Sequence, residues 1–306
     1  MKNFISVLIV ICFLHAHLVA QVSTVSVHKL GKEINSNADD FSPFITNDGL
    51  TLFFVTNRGL GKSHLYCSKR KSVDTEWGDA DFFQLLSSRM DVVESFKMDG
   101  IGRMYFSSTK DSKTGMNLWQ AFSDKGNITA KQMPNGINST FWDSEPTATR
   151  NGDVLYFVSG RDRILNGVHL HILQSKLQND GTWSTPQDLG PKINMGRINN
   201  NPFITPDDHY LFFSSVVVAP PSTGRKEITK IYMSEHIGQG VTDWSAPMLL
   251  PAEINSESND IDPMISSDGK TIYFSSDRER SKGYEIYSAT LPIDIQMKIK
   301  NSFQSK

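Results

Sequence analysis

The chain has 306 residues, of which 38% are hydrophobic and 21% charged, and its formal net charge is -2 at pH 7. This composition is too apolar for a disordered chain, and the length allows one large domain with several packed layers. Lys and Arg (31) do not outnumber Asp and Glu (33), so no positive excess indicates a nucleic-acid partner. We therefore expect a soluble globular protein that does not bind nucleic acid.

The first twenty residues have the pattern of a secretory signal peptide. Lys2 precedes a nearly continuous apolar run, Phe4 to Leu14, and Ala20 ends a plausible cleavage site. The run is short for a membrane span, and no basic stop-transfer flank follows it. We therefore expect residues 1–20 to be a signal peptide, and the mature chain to be periplasmic or extracellular without an integral membrane segment.

A repeat runs through the rest of the chain. Each copy begins with a short apolar strand, continues through a turn rich in Asn, Asp and Gly, and ends a second strand with an aromatic pair. Five copies align without a gap, starting near residues 43, 95, 146, 202 and 263. In four of them an Ile-Asn pair lies nine residues upstream, beginning at Ile34, Ile137, Ile193 and Ile254.

Two further strands follow each aromatic pair, and in three copies a Trp marks the entry to the fourth strand. No amphipathic helix of ten or more residues separates the copies. A ring of four-stranded sheets would bury both faces of each unit against its neighbours and leave only short edges. The sequence therefore predicts an all-β fold, a five-bladed β-propeller of four-stranded antiparallel blades over residues 21–306.

The outer strand of the last blade has two candidate sources, because the fifth copy ends with its third strand. Residues 22–30 are similar to a fourth strand without its own first three, so we expect this N-terminal strand to complete the blade and close the ring. The C-terminal segment 293–299 also alternates well enough to be that strand. The sequence does not decide between them.

The fifth copy, Pro263 to Arg278, shows the repeat most fully. It reads Pro-x-x-Ser-x-Asp-Gly, then Tyr-Phe-Ser-Ser, with an Arg four residues after the Phe. This pattern resembles the TolB-like, WD-like propeller repeat of exported bacterial proteins, and it covers nearly the whole mature chain. Similar repeats occur in periplasmic scaffold proteins, peptidase gating domains and carbohydrate-active enzymes, so the resemblance implies the fold and leaves the activity open. The second copy departs from it with Ser95 in place of the Pro, and the fourth with Asp208 in place of the Gly.

Charged and amide side chains recur where the inner strands begin. Residues just before the first strand and just after the second strand should share one face of the ring, because the two strands are antiparallel. The innermost strands converge on the axis, so these side chains should surround the mouth of the central channel. The predicted rim consists of Asp40, Glu94, Trp142, Asp143, Glu145, Asn199, Asn201, Asp260 and Asp262, with Arg58, Lys110, Arg161 and Arg278 as its basic members.

The recurring charges have two interpretations. In the first, each carboxylate bonds the Arg or backbone N–H groups of its own or the next blade and locks the ring together. In the second, an acid-lined funnel binds a cation, a sugar or a peptide terminus, and Trp142 stacks on a sugar. The fourth copy breaks the symmetry most, because Asn199 and Asn201 replace acids and the long loop 216–230 rises on the same face.

We predict a binding or scaffold module that engages a protein or glycan partner through this rim. The alternative is a polysaccharide-active enzyme, a glycoside hydrolase or lyase, in which two of Asp40, Glu94 and Glu145 act as general acid and as nucleophile or base. No cofactor is expected, although a cation in the central channel is possible. His169 and His171 share a strand face, but no third metal ligand is recognisable nearby.

Overall fold

The strands of the chain form five four-stranded antiparallel sheets. The structure, a computed structural model, describes residues 25–59, 61–86, 92–112, 115–161, 169–279 and 283–304, so the predicted signal peptide lies outside the described residues. Successive sheets pack on one another around a central channel. The protein is a five-bladed β-propeller, as the repeat predicts.

The strands follow the blades in chain order, after an N-terminal strand β1 (Val27–Lys29). Blade 1 contains β2 (Asp40–Ile45), β3 (Thr51–Thr56), β4 (His64–Lys69) and β5 (Asp81–Phe82). Blade 2 contains β6 (Val93–Met98), β7 (Met104–Ser108), β8 (Asn117–Asp124) and β9 (Asn127–Gln132). Blade 3 contains β10 (Asp143–Ala148), β11 (Val154–Ser159), β12 (His171–Lys176) and β13 (Gln187–Asp188).

Blade 4 contains β14 (Asn199–Ile204), β15 (Tyr210–Val218), β16 (Glu227–Glu235) and β17 (Met248–Leu249). Blade 5 contains β18 (Asp260–Ile265), β19 (Thr271–Ser276) and β20 (Glu285–Thr290), with β1 as its outer strand. A 3-10 turn (Pro221–Thr223) joins β15 to β16. The chain continues after β20 into helix α1 (Ile293–Ile299) and a 3-10 segment (Lys300–Phe303).

The N-terminal strand closes the ring. Val27 pairs with Ala289 and Lys29 with Tyr287, so blade 5 is built from both ends of the described chain. The alternative closing strand, segment 293–299, is instead helix α1. Pro292 precedes the first turn of that helix, and the buried Ile295 and Ile299, four residues apart, share its inner face.

The aromatic pairs explain why the blades stack. Successive strand residues point to opposite faces of a sheet, so the two rings of each pair enter the two different spaces between blades. In blade 1, Phe53 and Phe54 are 6% and 0% exposed. The pair therefore supplies both faces of its blade with large apolar side chains, which is the main source of the core.

The Ile-Asn pairs have a role that the sequence did not disclose. The Asn35 side chain bonds both the N–H and the carbonyl of Ile286 in the third strand of blade 5. Three equivalent amides bond the third strand of the preceding blade in the same way: Asn138 on Leu118, Asn194 on Ile172 and Asn255 on Ile231. Each Asn therefore bonds the segment that connects two blades to the third strand of the preceding blade.

Two faces of the ring are distinguished below. The upper face is the one at which the inner strands β2, β6, β10, β14 and β18 begin, and the lower face carries the turns that follow those strands. The C-terminal segment lies on the lower face, where Phe303 borders the channel. No helix in the described ranges is long and apolar enough to span a membrane.

Candidate functional site

Three of the predicted rim carboxylates are buried inside their blades. Asp143 is fully buried and accepts hydrogen bonds from Arg161 at 2.9 Å and from the hydroxyls of Ser139 and Ser159 at 2.6 Å each. The other two ion pairs of this kind are Arg58 with Asp40 at 2.6 Å and Arg278 with Asp260 at 2.8 Å. We call these three pairs the blade locks.

The Arg side chains of the blade locks make further structural contacts. The Arg278 guanidinium lies 5.0 Å from the ring centre of Phe274 and 4.8 Å from that of Tyr287, and it donates to the carbonyl of Ile254. Arg58 and Arg161 donate to the equivalent Ile carbonyls, those of Ile34 and Ile137. These six predicted rim residues therefore lie in structural contacts, in agreement with the first interpretation of the repeat.

Within the residues that the structure describes, blades 2 and 4 have no lock of this kind. In blade 4 the fully buried Asn199 accepts a hydrogen bond from the Ser215 hydroxyl at 2.9 Å and donates to the carbonyl of Gly196. In blade 2 the lock acid is replaced by Val93, which pairs with Ser108 as Asp40 pairs with Thr56, and the Lys110 ammonium lies 3.8 Å from the exposed Asp111. The ring is thus asymmetric at these two blades.

The ungapped repeat alignment is wrong by one residue in blade 2. The turn after β6 closes from Asp99 to Arg103, whereas the turn of blade 1 closes from Thr46 to Thr51 and is one residue longer. Strand β6 is therefore shifted relative to its counterparts. As a result Ser95, and not Glu94, occupies the position of the residue that precedes Pro in the other four blades.

Five side chains, one from each blade, surround a small cavity within the channel. We call them the channel ring, and they are Ser42, Ser95, Glu145, Asn201 and Asp262. The cavity they enclose is about 10 Å³, which is room for one water molecule. All except Ser95 have a positive φ between 50° and 56°, where the inner strand bulges before Pro and turns the side chain toward the axis.

Hydrogen bonds connect the channel ring across three blade junctions. The backbone N–H of Asn201 donates to Glu145 at 2.5 Å, and the Asn201 side chain donates to Asp262 at 2.6 Å. The backbone N–H of Ser42 donates to the other oxygen of Asp262 at 3.0 Å. The side-chain amide oxygen of Asn201 (Oδ1) is buried without a hydrogen-bond partner among the described residues. The series therefore runs from blade 3 through blades 4 and 5 to blade 1.

Lys97, which sequence reasoning missed, lies next to the channel ring. Its side chain is 7% exposed, and its ammonium donates to the carbonyl of Pro43 at 3.0 Å. Burial lowers the pKa of Lys97 to about 8, against the opposing effect of Asp262 and Glu145. The one-residue shift of β6 hid this residue, because it places Lys97 level with Phe44, Thr147, Phe203 and Met264 of the other blades.

Burial also governs the carboxyl groups at the channel. It raises the pKa of Glu145 to about 8, with the Asn201 N–H opposing and Asp262 and Glu94 adding to the shift. Burial likewise raises the pKa values of Asp262 and Glu94. Of the three carboxylates predicted for an enzyme, the structure thus couples Glu94 and Glu145 at the channel and holds Asp40 apart in a blade lock.

The upper face also exposes apolar side chains. Trp142 is 36% exposed and donates its indole N–H to the Ser144 hydroxyl at 2.8 Å. Met195, in the loop before β14, is 41% exposed, and Val218, at the end of β15, is 86% exposed. The hairpin of β15 and β16 has nine residues in each strand and is tied to blade 5 by the Arg225–Asp277 pair at 2.7 Å.

No metal site is formed by the described residues, since no group of three or more His, Cys, Asp or Glu side chains is placed to hold an ion. The rings of His169 and His171 lie 6.3 Å apart, and His171 bonds the Asp188 carboxylate at 2.7 Å. This histidine is therefore held by an acid of its own blade.

Neither a family model nor a curated protein matches the chain. Solved structures do resemble it. An endo-arabinase from Bacteroides thetaiotaomicron superposes with a TM-score of 0.56 at 15% identity, covering 87% of this chain and 97% of that one. A GH43 endo-arabinanase from Bacillus licheniformis gives 0.53 at 14% identity, with 87% and 96% covered. A putative TolB from Agrobacterium tumefaciens gives 0.50 at 15% identity, with 82% and 76% covered. At such identities the likeness shows the propeller fold alone.

Proposed function

We propose that the chain is an exported, TolB-like binding module that engages a protein partner through its upper face. The proposal rests on which charged residues of the upper face form structural ion pairs and which do not. The blade locks occupy the acids and bases of blades 1, 3 and 5, whereas the half-buried Glu94 and the exposed side chains of Trp142, Met195 and Val218 lie outside the locks on the upper face. Aromatic and Met side chains next to a half-buried charge are typical of protein interfaces. Export is proposed from the signal-peptide pattern of residues 1–20.

The channel geometry argues against glycoside hydrolysis. A glycosidase holds two carboxyl groups roughly 5 to 9.5 Å apart with the sugar bond between them. Here Asp40 is locked in blade 1, while Glu145 and Asp262 both bond Asn201 around a cavity of about 10 Å³. A cavity of this size holds a water molecule and has no room for a sugar ring.

One observation favours the alternative, a polysaccharide-active enzyme. Burial raises the pKa of Glu145 to about 8, which is the state that a general acid requires at neutral pH. Two of the similar structures are an endo-arabinanase and an endo-arabinase. The test must therefore measure both partner binding and glycan turnover.

The binding arm uses a photo-crosslinking amino acid placed singly at Trp142 or Val218 in the protein expressed in its own host. We expect both positions to crosslink to the same partner protein, and the Glu94→Lys change to abolish these crosslinks. The matched control is Leu249, which is 51% exposed on the outer strand of blade 4. Equal crosslinking from position 249 would contradict the proposed surface.

The turnover arm incubates the purified protein with a panel of soluble polysaccharides that includes arabinan, and measures the release of reducing ends. The binding proposal expects no release by the parent protein. Release that disappears in a folded Glu145→Gln variant would establish the enzyme and overturn the binding module. Retention of a polysaccharide without cleavage would instead identify a glycan as the partner.

A further inference from the structure

The lower mouth of the channel opens into a cavity of about 290 Å³, which we call the lower pocket. All five blades and the C-terminal segment contribute to it. Its apolar wall includes Phe44, Phe203 and Met264, while Lys97 reaches it from the side of the channel ring and Phe303 borders its opening. The pocket thus combines an apolar body with one ammonium group.

Lys97 is incompletely bonded in this pocket. An ammonium group has three N–H donors, and the one hydrogen bond of Lys97 within the described residues goes to the Pro43 carbonyl. The side chain is 7% exposed, so the other two donors are largely removed from bulk water. Leaving a buried charged donor unpaired is costly, and an acceptor group in the pocket would relieve that cost.

Arg150 brings a second positive charge to the opening. Its guanidinium donates to the backbone carbonyls of Phe303 and Gln304 at 3.2 Å each, so it holds the C-terminal segment against the pocket. The ion pairs within the described ranges include no carboxylate partner for Arg150. Within the described residues, its hydrogen bonds go to these uncharged backbone carbonyls.

The charged side chains that line the pocket are the positive Lys97 and Arg150 and the negative Asp99. Arg103 and Asp99 cancel, because they form an ion pair at 2.7 Å. Lys97 is offset by Asp262 of the channel ring, and the raised pKa of Glu145 keeps that group protonated. Arg150 remains, so a ligand with a single negative charge complements the pocket.

We propose that the lower pocket binds a small organic carboxylate with a short apolar body. The carboxylate accepts hydrogen bonds from Lys97, and the apolar body packs against Phe44, Phe203 and Met264. Phe303, held by Arg150, closes over the bound molecule. This site lies at the opposite end of the channel from the surface proposed to bind a protein, and neither proposal depends on the other.

The first test uses hexanoate as the probe and hexan-1-ol as its uncharged counterpart. In protein labelled with ¹³C at the Met methyl groups, hexanoate should shift the signals of Met98 and Met264, which line the pocket, and leave that of Met195 unmoved. Hexanoate should bind about tenfold more tightly than hexan-1-ol, because only the carboxylate pairs with Lys97. Equal affinities, or no shift of Met264 at tens of millimolar hexanoate, would refute the site.

The second test replaces Lys97→Met and, as the matched control, Lys131→Met on the outer strand of the same blade. Hexanoate affinity should fall about tenfold in the first variant and stay unchanged in the second. Unchanged affinity in a folded Lys97→Met protein would also refute the site. If that variant does not fold, the pH dependence of the parent decides. Hexanoate binding should weaken as pH rises through 8, where Lys97 and the neighbouring Glu145 each lose a proton and the site becomes less positive, and hexan-1-ol binding should not.

Discussion

Blades 1, 3 and 5 differ from blades 2 and 4 in how they use the same repeat. The first three hold a buried Asp against an Arg that stacks on aromatic rings. Blade 4 has an amide at that position, and blade 2 has no side-chain acceptor there and a shifted inner strand. The features that set single blades apart belong to blades 2 and 4: Glu94 and Lys97 on the shifted strand β6, and the long β15–β16 hairpin.

The comparison teaches where to look for function in a repeat protein. A charge that recurs from copy to copy has a structural role that the copies share. Here that role is to join a loop to its own blade. A departure from the repeat has no such explanation. The site candidates therefore follow from the exceptions, and the following changes test whether the two groups of blades differ as described.

The largest effect is expected for Asp143→Ala in a locked blade. The change leaves Arg161 and two hydroxyls without their acceptor, so the free energy of unfolding should fall by about 3–5 kcal/mol. Asn199→Ala at the same position of blade 4 removes no ion pair and should lower it by about 1–2 kcal/mol. Urea unfolding of both variants measures the difference. Equal losses would mean that the Asp–Arg lock stabilises its blade no more than the Asn of blade 4 does.

A second change tests the channel ring through the pH dependence of stability. The folded-state pKa of Glu145, about 8, lies above its ordinary value of 4.5, so the folded chain holds this proton more tightly than the unfolded chain. Stability should therefore fall as pH rises from 4.5 to 8, by at most about 1.4 kcal/mol per pH unit.

Lys97 gives the opposite slope at higher pH. Its pKa is lowered from 10.5 to about 8, so stability should rise between pH 8 and 10.5. Glu145→Gln should reduce the fall below pH 8, to which Asp262 and Glu94 also contribute, and keep the rise above it, as measured by urea unfolding at each pH. A Glu145→Gln profile that parallels the parent below pH 8 would show that this carboxyl is not held protonated.

The smallest effect is expected at the tip of the long hairpin in blade 4, in the loop between β15 and β16. Arg225→Ala removes a half-buried ion pair and should lower the free energy of unfolding by about 1 kcal/mol, with faster amide exchange in β15 and β16. Arg197→Ala removes the exposed pair with Glu227 and should change stability by less than about 0.5 kcal/mol. Equal amide exchange in the two variants would show that Arg225 does not hold the hairpin to blade 5.

The fold was predictable because it depends on spacing and on alternation. The recurrence of aromatic pairs and turns predicted five sheets, and the N-terminal strand that closes the ring was one of the two candidates the sequence offered. The Asp–Arg contacts could also be anticipated, since acid and base stand eighteen residues apart in all three locks. The choice between structural ion pairs and an acid-lined binding funnel depended on whether the carboxylates are buried. The sequence does not show the burial of a single carboxylate.

The candidate site was less predictable, because it depends on a difference of one residue. The turn from Asp99 to Arg103 is as rich in Gly and Asp as the longer turns, so its length shows only in its hydrogen bonds. The turn length decides whether Glu94 or Ser95 lies in the channel ring. It also decides whether Lys97 is predicted to lie next to that ring. The helical tail was missed for a similar reason, since apolar residues at 295, 297 and 299 fit a strand as well as a helix.

Closure by β1 has a consequence for how the chain reaches this fold. The partners Val27 and Ala289 are separated by almost the entire described sequence, so the last sheet cannot form until synthesis has passed its third strand. Until β1 pairs, β1 and β20 each present an unpaired strand edge to other chains. The molecule is therefore most exposed to misassociation just before its two ends meet, and any helper that protects it should act on that late intermediate.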